Sequence, residues 1–404
     1  MDVDRDVEKI REDFPLLRHV TFLDCANIST PNRRWLEAIM EFWRLRLAGR
    51  DDIANHPFLS EKAMHAKKEA AKLINAKEEE ICYIYRVVTA LNLVKMLIDW
   101  RRGDNVVFTD LAYPSSSHTW FNLRKLGVEM RRVRNVDGVI RLEDLEKAID
   151  DRTRIVCINQ TAWTTGFTYD VRAVCEVAHE HGALVVDDAF QSLGAVVCDV
   201  REMDVDILIS GSYKWQCGPE GAGIFYIKEE LIEEFDPFYS NYLNIETPRG
   251  IRFWYPDHDN VKDYEYPPVR TADRFDMGMC TGDILWGWDE ALRYLNELGP
   301  EAIERRVKRL GGYCIERLKE LGCKVNTPEE PDMRHGLISY TTGRYSVDKE
   351  SFEAMRSNMP RPIVVSLRYQ GGVGGVRFSI HFYNTEEDID HAIEVQRRVL
   401  KRHS

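Results

Sequence analysis

The chain has 404 residues, of which 44% are hydrophobic and 30% charged, and its net charge at pH 7 is −12. This composition is typical of a globular protein with room for more than one domain, and it excludes the fibrous and intrinsically disordered classes. The acidic balance also argues against nucleic-acid partners, which require clustered positive charge to displace counterions.

The cysteines, the histidines and the N-terminal stretch indicate the cellular compartment and whether a metal site is expected. Nine cysteines occur without any CxxC pair, which argues against a disulfide framework. The acidic N-terminal stretch lacks the apolar core of a secretory leader, and no apolar run is long enough to span a membrane. The histidines of "HEH" at 179–181 lack the spacing of zinc ligands on one helical face. We therefore expect a cytoplasmic protein with no metal site and no membrane contact.

Short β-branched runs alternate with longer segments of helical period through most of the chain, which predicts a parallel sheet covered by helices. The predicted helices are 61–75, 89–100, 115–126, 141–150 and 284–298, and the predicted strands are 105–110, 154–160, 183–189, 206–211 and 223–227. The segment 169–182 joins two of these strands, has valines at helical spacing and ends on a glycine. It predicts one βαβ crossover.

The pattern changes after Gly299-Pro300. A long amphipathic helix, about 301–321, leads into the strand-like pieces "LISYTT", "PIVVSLRY" and "GVRFSIHF", and a helix from 386 follows. This order predicts a small α+β domain. The segment 235–275 has weak periodicity and predicts a long loop insertion with a functional role. The expected division is an N-terminal segment (1–29) that joins the small domain, a large α/β domain (30–295) and the small C-terminal domain (296–404).

Polar residues follow neighbouring predicted strands. Asp188 ends one strand, Gln191 follows three residues later, and Lys214 lies just beyond the next strand, in "GSYKWQCGPEGAG". The carboxyl ends of parallel strands meet at one edge of a sheet, where such folds bind ligands. An ordinary ion pair would also explain the carboxylate and the lysine, so these residues alone leave both interpretations open.

Six motifs, in order along most of the chain, make it resemble the class V aminotransferases of fold type I. The motifs are "FLDCANIST", "VVTALNLV", "TDLAYPSSSHTW", "VDDAFQSLGA", "GSYKWQCGPEGAG" and "GGVRFSIHFYNTEEDID". This group contains cysteine desulfurases, kynureninase and isopenicillin N epimerase, all of which use pyridoxal 5'-phosphate. The resemblance implies an α/β fold with a mainly parallel seven-stranded sheet flanked by helices, a smaller α+β domain, and assembly as a homodimer.

The same resemblance assigns roles around the cofactor ring. Lys214 would form a Schiff base with the cofactor aldehyde and later move protons at the substrate α-carbon, which a lysine amine is able to do. Asp188 would keep the pyridine nitrogen protonated, because a nearby anion stabilises the cationic ring. Gln191 would bind the phenolic oxygen of the ring, and Tyr113 would stack on its face.

The cofactor phosphate is expected at the helix start that contains Val88 and Thr89. Unpaired amides and the helix dipole favour a dianion there, and Thr89 would add its hydroxyl. Ser212 and Tyr213 precede the lysine as small polar and hydroxyl or imidazole groups do in relatives. In the family a threonine crosses from the partner subunit, and Thr281 is the candidate for it.

Two residues are expected to hold the substrate and another to shape its pocket. Arg377 would grip the substrate carboxylate through its planar fork, and Asn27 would line the same pocket. Trp163 replaces a smaller polar residue that often precedes "TTG" in relatives, and we expect it to shape the pocket.

The resemblance implies an enzyme that acts on an α-amino acid through an external aldimine, with transamination as the expected outcome. The alternatives are a C–S or C–C lyase and a racemase similar to isopenicillin N epimerase. An inactive, cofactor-holding scaffold is an alternative of another class. Ordinary desulfurase activity is disfavoured, because the segment "SLRYQGGVGG" lacks the cysteine that desulfurases carry there, and persulfide formation needs a thiol nucleophile.

Overall fold

The structure is a computed structural model in which residues 2–50, 61–239, 241, 243–246, 267–278 and 281–403 are described. Most of the predicted insertion at 235–275 lies outside these residues, so its functional role stays a prediction. Its described part contains a single-turn 3-10 helix, Ala272–Phe275, and an isolated bridge between Ile245 and Pro268.

The described strands and helices alternate along most of the chain. The strands are β1 (Thr21–Phe22), β2 (Ile81–Tyr83), β3 (Asn105–Thr109), β4 (Glu129–Val133), β5 (Thr153–Ile158), β6 (Leu184–Asp188), β7 (Ile207–Gly211), β8 (Gly223–Ile227), β9 (Lys324–Val325), β10 (Leu337–Thr341), β11 (Ile363–Val364), β12 (Ser366–Gln370) and β13 (Val373–Ser379). The helices are α1 (Val7–Glu12), α2 (Arg33–Leu47), α3 (Glu61–Ile74), α4 (Val87–Leu97), α5 (Pro114–His118), α6 (Leu142–Glu146), α7 (Val171–Glu180), α8 (Val200–Met203), α9 (Glu229–Ile232), α10 (Gly282–Leu298), α11 (Pro300–Glu320), α12 (Tyr345–Arg356) and α13 (Glu386–Leu400).

A seven-stranded, mostly parallel sheet forms the centre of the larger part of the molecule. Its strand order is β2-β8-β7-β6-β5-β3-β4, and β8 runs antiparallel to both of its neighbours. The strands β7, β6, β5, β3 and β4 are parallel to one another, so their carboxyl ends lie at one edge. The predicted α/β fold with a mainly parallel seven-stranded sheet is confirmed.

Both faces of this sheet are buried. Val107, Val156 and Val185 belong to one apolar cluster, whereas Val106 and Ile155, their neighbours along the strands, belong to another. Successive side chains of a strand point to opposite faces, so each face needs its own helical cover. Full burial of such a side chain stabilises the fold by about 1.5–3 kcal/mol.

The C-terminal part contains a four-stranded antiparallel sheet with the order β9-β10-β13-β12. The N-terminal strand β1 pairs with β11 in parallel, with Thr21 opposite Ile363 and Phe22 opposite Val364. The N–H of Leu23 continues this pairing by donating to the carbonyl of Val364 at 2.9 Å. The predicted domain boundaries at 29/30 and 295/296 stay predictions.

Two predicted helices are shorter in the structure than the sequence suggests. The prediction of one helix at 115–126 is wrong, because α5 ends at His118 and a 3-10 helix spans Phe121–Leu126. The indole N–H of Trp120 donates to the Ser116 carbonyl at 2.7 Å, and that carbonyl would accept the Trp120 amide in a continuous α-helix. The helix predicted at 141–150 is confined to α6, and 3-10-type bonds from the amides of Ala148 and Ile149 follow it.

Several elements were not predicted from the sequence. They are β2, β4, α2 and α12, together with the short elements β1, β9, α1, α8 and α9. Strand β4 is an edge strand with two exposed, two half-buried and one buried residue, so it lacks the apolar run used to predict the buried strands. Among the described residues, no helix combines the length and the apolar character needed to cross a membrane.

Candidate active site

The carboxyl ends of β5, β6 and β7 meet beside the start of α4 and enclose a cavity of about 140 Å³. The residues that line it are Tyr85, Arg86, Val87, Val88, Tyr113, Ser115, Asn159, Asp188, Phe190, Gln191, Gly211, Tyr213 and Lys214. Lys214, Asp188, Gln191, Tyr113, Tyr213 and Val88 are thus brought together, as the sequence analysis predicted. The site lies at the sheet edge where parallel α/β folds bind ligands.

Lys214 is a buried lysine whose amine faces this cavity. The side chain is 7% exposed, and Nζ lies 4.1 Å from the ring centroid of Phe190 and 5.4 Å from that of Tyr113. No hydrogen bond or ion pair holds Nζ within the described part of the chain. Burial lowers the pKa of the amine to about 8; the charge of Asp188 opposes this shift and that of Arg377 adds to it. A substantial fraction of the amine is therefore neutral close to physiological pH.

Asp188 presents a carboxylate that is held in place by several donors. Its Oδ2 accepts from Ser116 Oγ at 2.6 Å and from Asn159 Nδ2 at 2.7 Å, and its Oδ1 accepts from the Phe190 amide at 3.2 Å. Burial raises the pKa of Asp188, whereas the Ser116 bond and the charge of Lys214 act in the opposite direction. The donors therefore favour the ionised form and fix its orientation.

Ser116 and Asn159 were not predicted from the sequence. Asn159 directly follows β5, which is adjacent to β6 in the sheet, so the strand-end rule that identified Asp188 would also have found it. Ser116 lies in α5, and nothing in its local sequence points to a carboxylate far along the chain.

Gln191 and Tyr113 lie on the walls of the cavity. Gln191 Oε1 accepts from Trp215 Nε1 at 2.8 Å, and its Nε2 donates to the Ala26 carbonyl at 3.0 Å. These bonds fix the amide and leave one N–H of Nε2 for a ligand. The Tyr113 ring packs edge-on against Trp163 with centroids 5.5 Å apart, so Trp163 adjoins the pocket as the sequence analysis expected.

The start of α4 forms another part of the cavity wall. The helix begins at Val87, two residues before the predicted start, and the amides of Val87 and Val88 precede its first hydrogen bond, from the Thr89 N–H to the Arg86 carbonyl at 3.0 Å. Arg86 was missed by the sequence analysis. Its guanidinium lies 5.6 Å from the Tyr213 ring centroid and adds positive charge to a helix N-terminus that already favours anions. Thr89 does not line the cavity.

Four further residues predicted to belong to the site do not line this cavity. The Ser212 hydroxyl donates to the Pro219 carbonyl, which commits it to the turn around the lysine. Asn27 is exposed, and its backbone N–H donates to the backbone carbonyl of Asp24 at 3.0 Å. Thr281 is exposed immediately before α10. The roles predicted for these three residues stay predictions.

Arg377 is the fourth predicted site residue that does not line the cavity. It is buried in β13 and pairs with an acidic residue of the N-terminal segment. Its Nη2 lies 3.3 Å from Asp24 Oδ1, and its Nη1 donates to the Trp163 carbonyl at 2.8 Å. Asp24 also accepts from Ser366 Oγ at 2.7 Å. Burial lowers the pKa of Arg377 to about 10, although Asp24 opposes the shift. Its Nε has no hydrogen-bond partner among the residues that the structure describes. One nitrogen of the predicted carboxylate-binding fork thus already pairs with a carboxylate of the chain, and another donates to a backbone carbonyl.

The connection between β12 and β13 is a two-residue hairpin turn. Gly371 and Gly372 have φ angles of +63° and +82°, the left-handed conformation that two-residue turns between antiparallel strands require. This turn leaves no loop at the position where the sequence resemblance leads us to look for a desulfurase cysteine.

Comparisons with known proteins agree with this geometry. The sequence profile described as Aminotransferase class-V matches residues 21–392. The chain is 27% identical, over 95% of both sequences, to a probable cysteine desulfurase of Methanothermobacter thermautotrophicus. It is 26% identical, over 96% of both, to the uncharacterized aminotransferase YcbU of Bacillus subtilis. Its structure resembles the apo structure of a cysteine desulfurase from Thermococcus onnurineus NA1, with a TM-score of 0.84, 26% identity and 98% of each chain covered.

Proposed function

Because the chain belongs to the class V aminotransferase family of pyridoxal 5'-phosphate enzymes, we propose that it removes the α-proton of an α-amino acid and then expels a sulfur substituent from the β-carbon. It would thus be a C–S lyase. The observation that carries this proposal is the buried amine of Lys214, which faces the cavity without a partner among the described residues. The proposed net reaction consumes water and yields a thiol, ammonium and the 2-keto acid.

The residues around the cavity are compatible with pyridoxal phosphate. Asp188 offers an oriented carboxylate for a pyridine N–H, and the remaining N–H of Gln191 suits a phenolic oxygen. The amides at the start of α4, together with Arg86, suit a phosphate dianion. When bound, the cofactor supplies an aldehyde that accepts the substrate amine and a ring that withdraws electrons from the substrate α-carbon.

Lys214 is the residue that moves the proton. Its amine is neutral in part near pH 8, so it is able to take the α-proton as a general base. Phe190 and Tyr113 lie beside Nζ and limit access of water to the amine. The resulting ammonium would then protonate the departing sulfur, which returns the lysine to its starting state.

The preference for elimination over persulfide transfer comes from the hairpin at Gly371 and Gly372. The names of several relatives, including the one from Methanothermobacter thermautotrophicus, support a substrate with a C–S bond. Without a thiol on this turn to accept the sulfur, the sulfur would leave as a free thiol or sulfide.

Transamination is a second candidate, supported by the name of the relative YcbU. The same Lys214 amine would take the α-proton, but it would deliver it to the cofactor rather than to the sulfur. Both reactions need the carboxylate of Asp188, so the site residues support them equally and the products distinguish them.

An amino-acid panel in deuterium oxide, with products followed by mass spectrometry, tests the proposal. Release of a thiol together with ammonium and a 2-keto acid supports elimination. Keto acid with an aminated cofactor supports transamination instead, and deuterium in an inverted amino acid supports a racemase. A visible cofactor band that no amino acid shifts would indicate an inactive scaffold.

Substitution of single lysines tests whether Lys214 removes the α-proton. Lys214→Ala should abolish deuterium exchange at the α-carbon, whereas Lys95→Ala should leave it unchanged. Lys95 is a suitable control because burial also lowers its pKa, while Asn92 and the Thr119 carbonyl hold its amine. Equal exchange by Lys214→Ala and its parent would refute the proposal.

A homodimer remains part of this proposal. The exposed position of Thr281 is compatible with a role in a neighbouring subunit's site. Light scattering combined with size-exclusion chromatography measures the assembly. Mixing Lys214→Ala with Thr281→Val tests the shared site, because a mixed dimer would regain one intact site if Thr281 acts across the interface.

A further inference from the structure

Two cysteines and a histidine form a buried cluster behind the turn that carries Lys214. The sulfurs of Cys25 and Cys217 and a ring nitrogen of His381 all lie within 4.8 Å of one another. The three side chains are at most 2% exposed. The mechanism proposed above uses none of them.

The three residues come from distant parts of the chain. Cys25 follows β1, Cys217 lies in the turn after Lys214, and His381 follows β13. Sequence spacing therefore gives no sign of the cluster. Cys217 adopts a left-handed backbone conformation with φ of +52°, which is uncommon for a residue with a side chain. The fold thus brings together three soft or borderline ligand atoms at one point.

Hydrogen bonding determines which nitrogen of His381 is able to act as a ligand. Nε2 lies 2.8 Å from the Trp215 carbonyl oxygen. A carbonyl oxygen accepts hydrogen bonds but cannot donate them, so Nε2 carries the proton. Nδ1 then holds a lone pair. Although the ring is close enough to Cys217 to affect its thiol, Nδ1 has no hydrogen bond of normal geometry among the described residues.

We propose that Cys25, Cys217 and Nδ1 of His381 bind a zinc ion. Two thiolates and one imidazole are a preferred ligand set for zinc, and two thiolates balance its charge in a buried site. A ligating histidine usually donates its other N–H to a carbonyl or carboxylate, as His381 does to Trp215. Three protein ligands leave a fourth tetrahedral position for an oxygen donor, and the Tyr383 hydroxyl lies beside Cys25.

Zinc binding would remove two thiol hydrogen bonds without leaving either acceptor unpaired. Cys217 Sγ donates to the Trp215 carbonyl at 3.8 Å, and that oxygen keeps the bond from His381 Nε2. As a thiol, Cys25 donates to the Lys214 carbonyl with a sulfur–oxygen distance of 3.4 Å, and a zinc-bound thiolate is unable to donate. The amide of Cys217 donates to the same carbonyl at 3.0 Å, so that oxygen keeps a partner. The ion would tie the N-terminal segment and the end of β13 to the turn that positions Lys214.

Metal analysis of the complete holoenzyme tests the inference. Protein expressed with added zinc and dialysed against a chelator should retain about one zinc per chain by elemental mass spectrometry. X-ray absorption should give sulfur neighbours at about 2.3 Å and a nitrogen neighbour at about 2.0–2.1 Å. Wild-type protein that retains no zinc, or zinc surrounded by oxygen and nitrogen only, would overturn the inference.

Variants locate the ion independently of activity. Cys217→Ser and His381→Gln should each lower the retained zinc at least tenfold, whereas Cys314→Ala should not. Cys314 is an equally buried cysteine in α11 and makes a matched control. Circular dichroism and size-exclusion chromatography identify variants that fold. Folded Cys217→Ser and His381→Gln proteins with the zinc content of the wild type would contradict the assignment; if neither folds, the X-ray absorption of the wild type decides.

Discussion

The guanidinium of Arg377 lies 3.3 Å from the carboxylate of Asp24, and both side chains are almost fully buried. This pair links the N-terminal segment to β13, close enough to Lys214 for the charge of Arg377 to lower the pKa of its amine. An incoming α-carboxylate would have to compete with Asp24 for the same fork if Arg377 binds the substrate.

We expect Asp24→Asn to lower the KM for the amino-acid substrate and to destabilise the substrate-free protein. Removal of one partner of a buried ion pair leaves Arg377 uncompensated, which costs about 3–5 kcal/mol of unfolding free energy. Chemical denaturation measures the loss, and the substrate should raise the melting temperature more in the variant than in the wild type.

Arg377→Gln should act in the opposite direction on binding and raise the KM at least tenfold. Asp273→Asn serves as the control for both variants, because Asp273 pairs with Lys67 at 2.7 Å on a more exposed surface. An unchanged KM in Arg377→Gln would exclude Arg377 as the carboxylate-binding residue.

Capture of the cofactor by the cofactor-free protein should depend on pH through Lys214. Only the neutral amine attacks an aldehyde, and the pKa of Lys214 is lowered from 10.5 to about 8. The rate should therefore rise with pH, with a midpoint about 8, as followed by visible absorption after rapid mixing with pyridoxal phosphate.

Two variants should move this midpoint in opposite directions. Asp188→Asn removes a charge that raises the pKa of Lys214 and should shift the midpoint to lower pH. Arg377→Gln removes a charge that lowers it and should shift the midpoint to higher pH. A midpoint near 10.5 in the wild type would show that burial does not perturb this amine.

Loss of the donors that hold the Asp188 carboxylate should slow turnover with little effect on cofactor binding. Ser116→Ala removes a bond of 2.6 Å, and Asn159→Ala removes one of 2.7 Å. Each substitution should raise the pKa of Asp188 and lower kcat by about 10–100-fold, a range typical of residues that orient a functional group.

The pH profile of kcat distinguishes this effect from simple misfolding, because the acidic limb should move to higher pH in both variants. Ser117→Ala is the matched control, since its hydroxyl donates to the Pro114 carbonyl and not to Asp188. If Ser116→Ala and Ser117→Ala behave alike, the proposed support of the carboxylate is wrong.

Thiol alkylation should leave the activity intact. The eight cysteines among the described residues are all buried, and the β12–β13 turn carries none. We expect a Cys280→Ser protein, which contains only those eight, to keep its turnover after treatment of the native holoenzyme with iodoacetamide. Inactivation that tracks the labelling of a single cysteine would instead support a thiol-dependent sulfur transfer.

The central part of the fold and half of the site follow from local sequence patterns. Buried strands such as β5 and β6 are continuous apolar runs, and Asp188 and Lys214 lie just where such runs end. Strand β4 was not predicted, because an exposed edge strand has no apolar period. The seven-stranded arrangement came from the family resemblance rather than from periodicity.

The missing part of the site depends on tertiary contacts. Ser116 reaches Asp188 only because α5 packs against β3 and β5, beside β6 in the sheet. Asp24 reaches Arg377 across more than three hundred residues of chain. Arg86 lies directly before α4, where a single arginine in the sequence gives no specific signal of a ligand. Contacts between residues so far apart in the chain cannot be predicted from any short stretch of the sequence.

The pairing of β1 with β11 has a consequence for the order of folding. Thr21 and Phe22 are synthesised before the strands of the large sheet, whereas their partners Ile363 and Val364 are synthesised after them. The large sheet is able to assemble while synthesis continues, since its strands lie between these two points. The N-terminal segment, with Asp24 and Cys25, must wait for β11 and β13 to be synthesised, so the pair of Asp24 and Arg377 forms later than the sheet that carries the cavity.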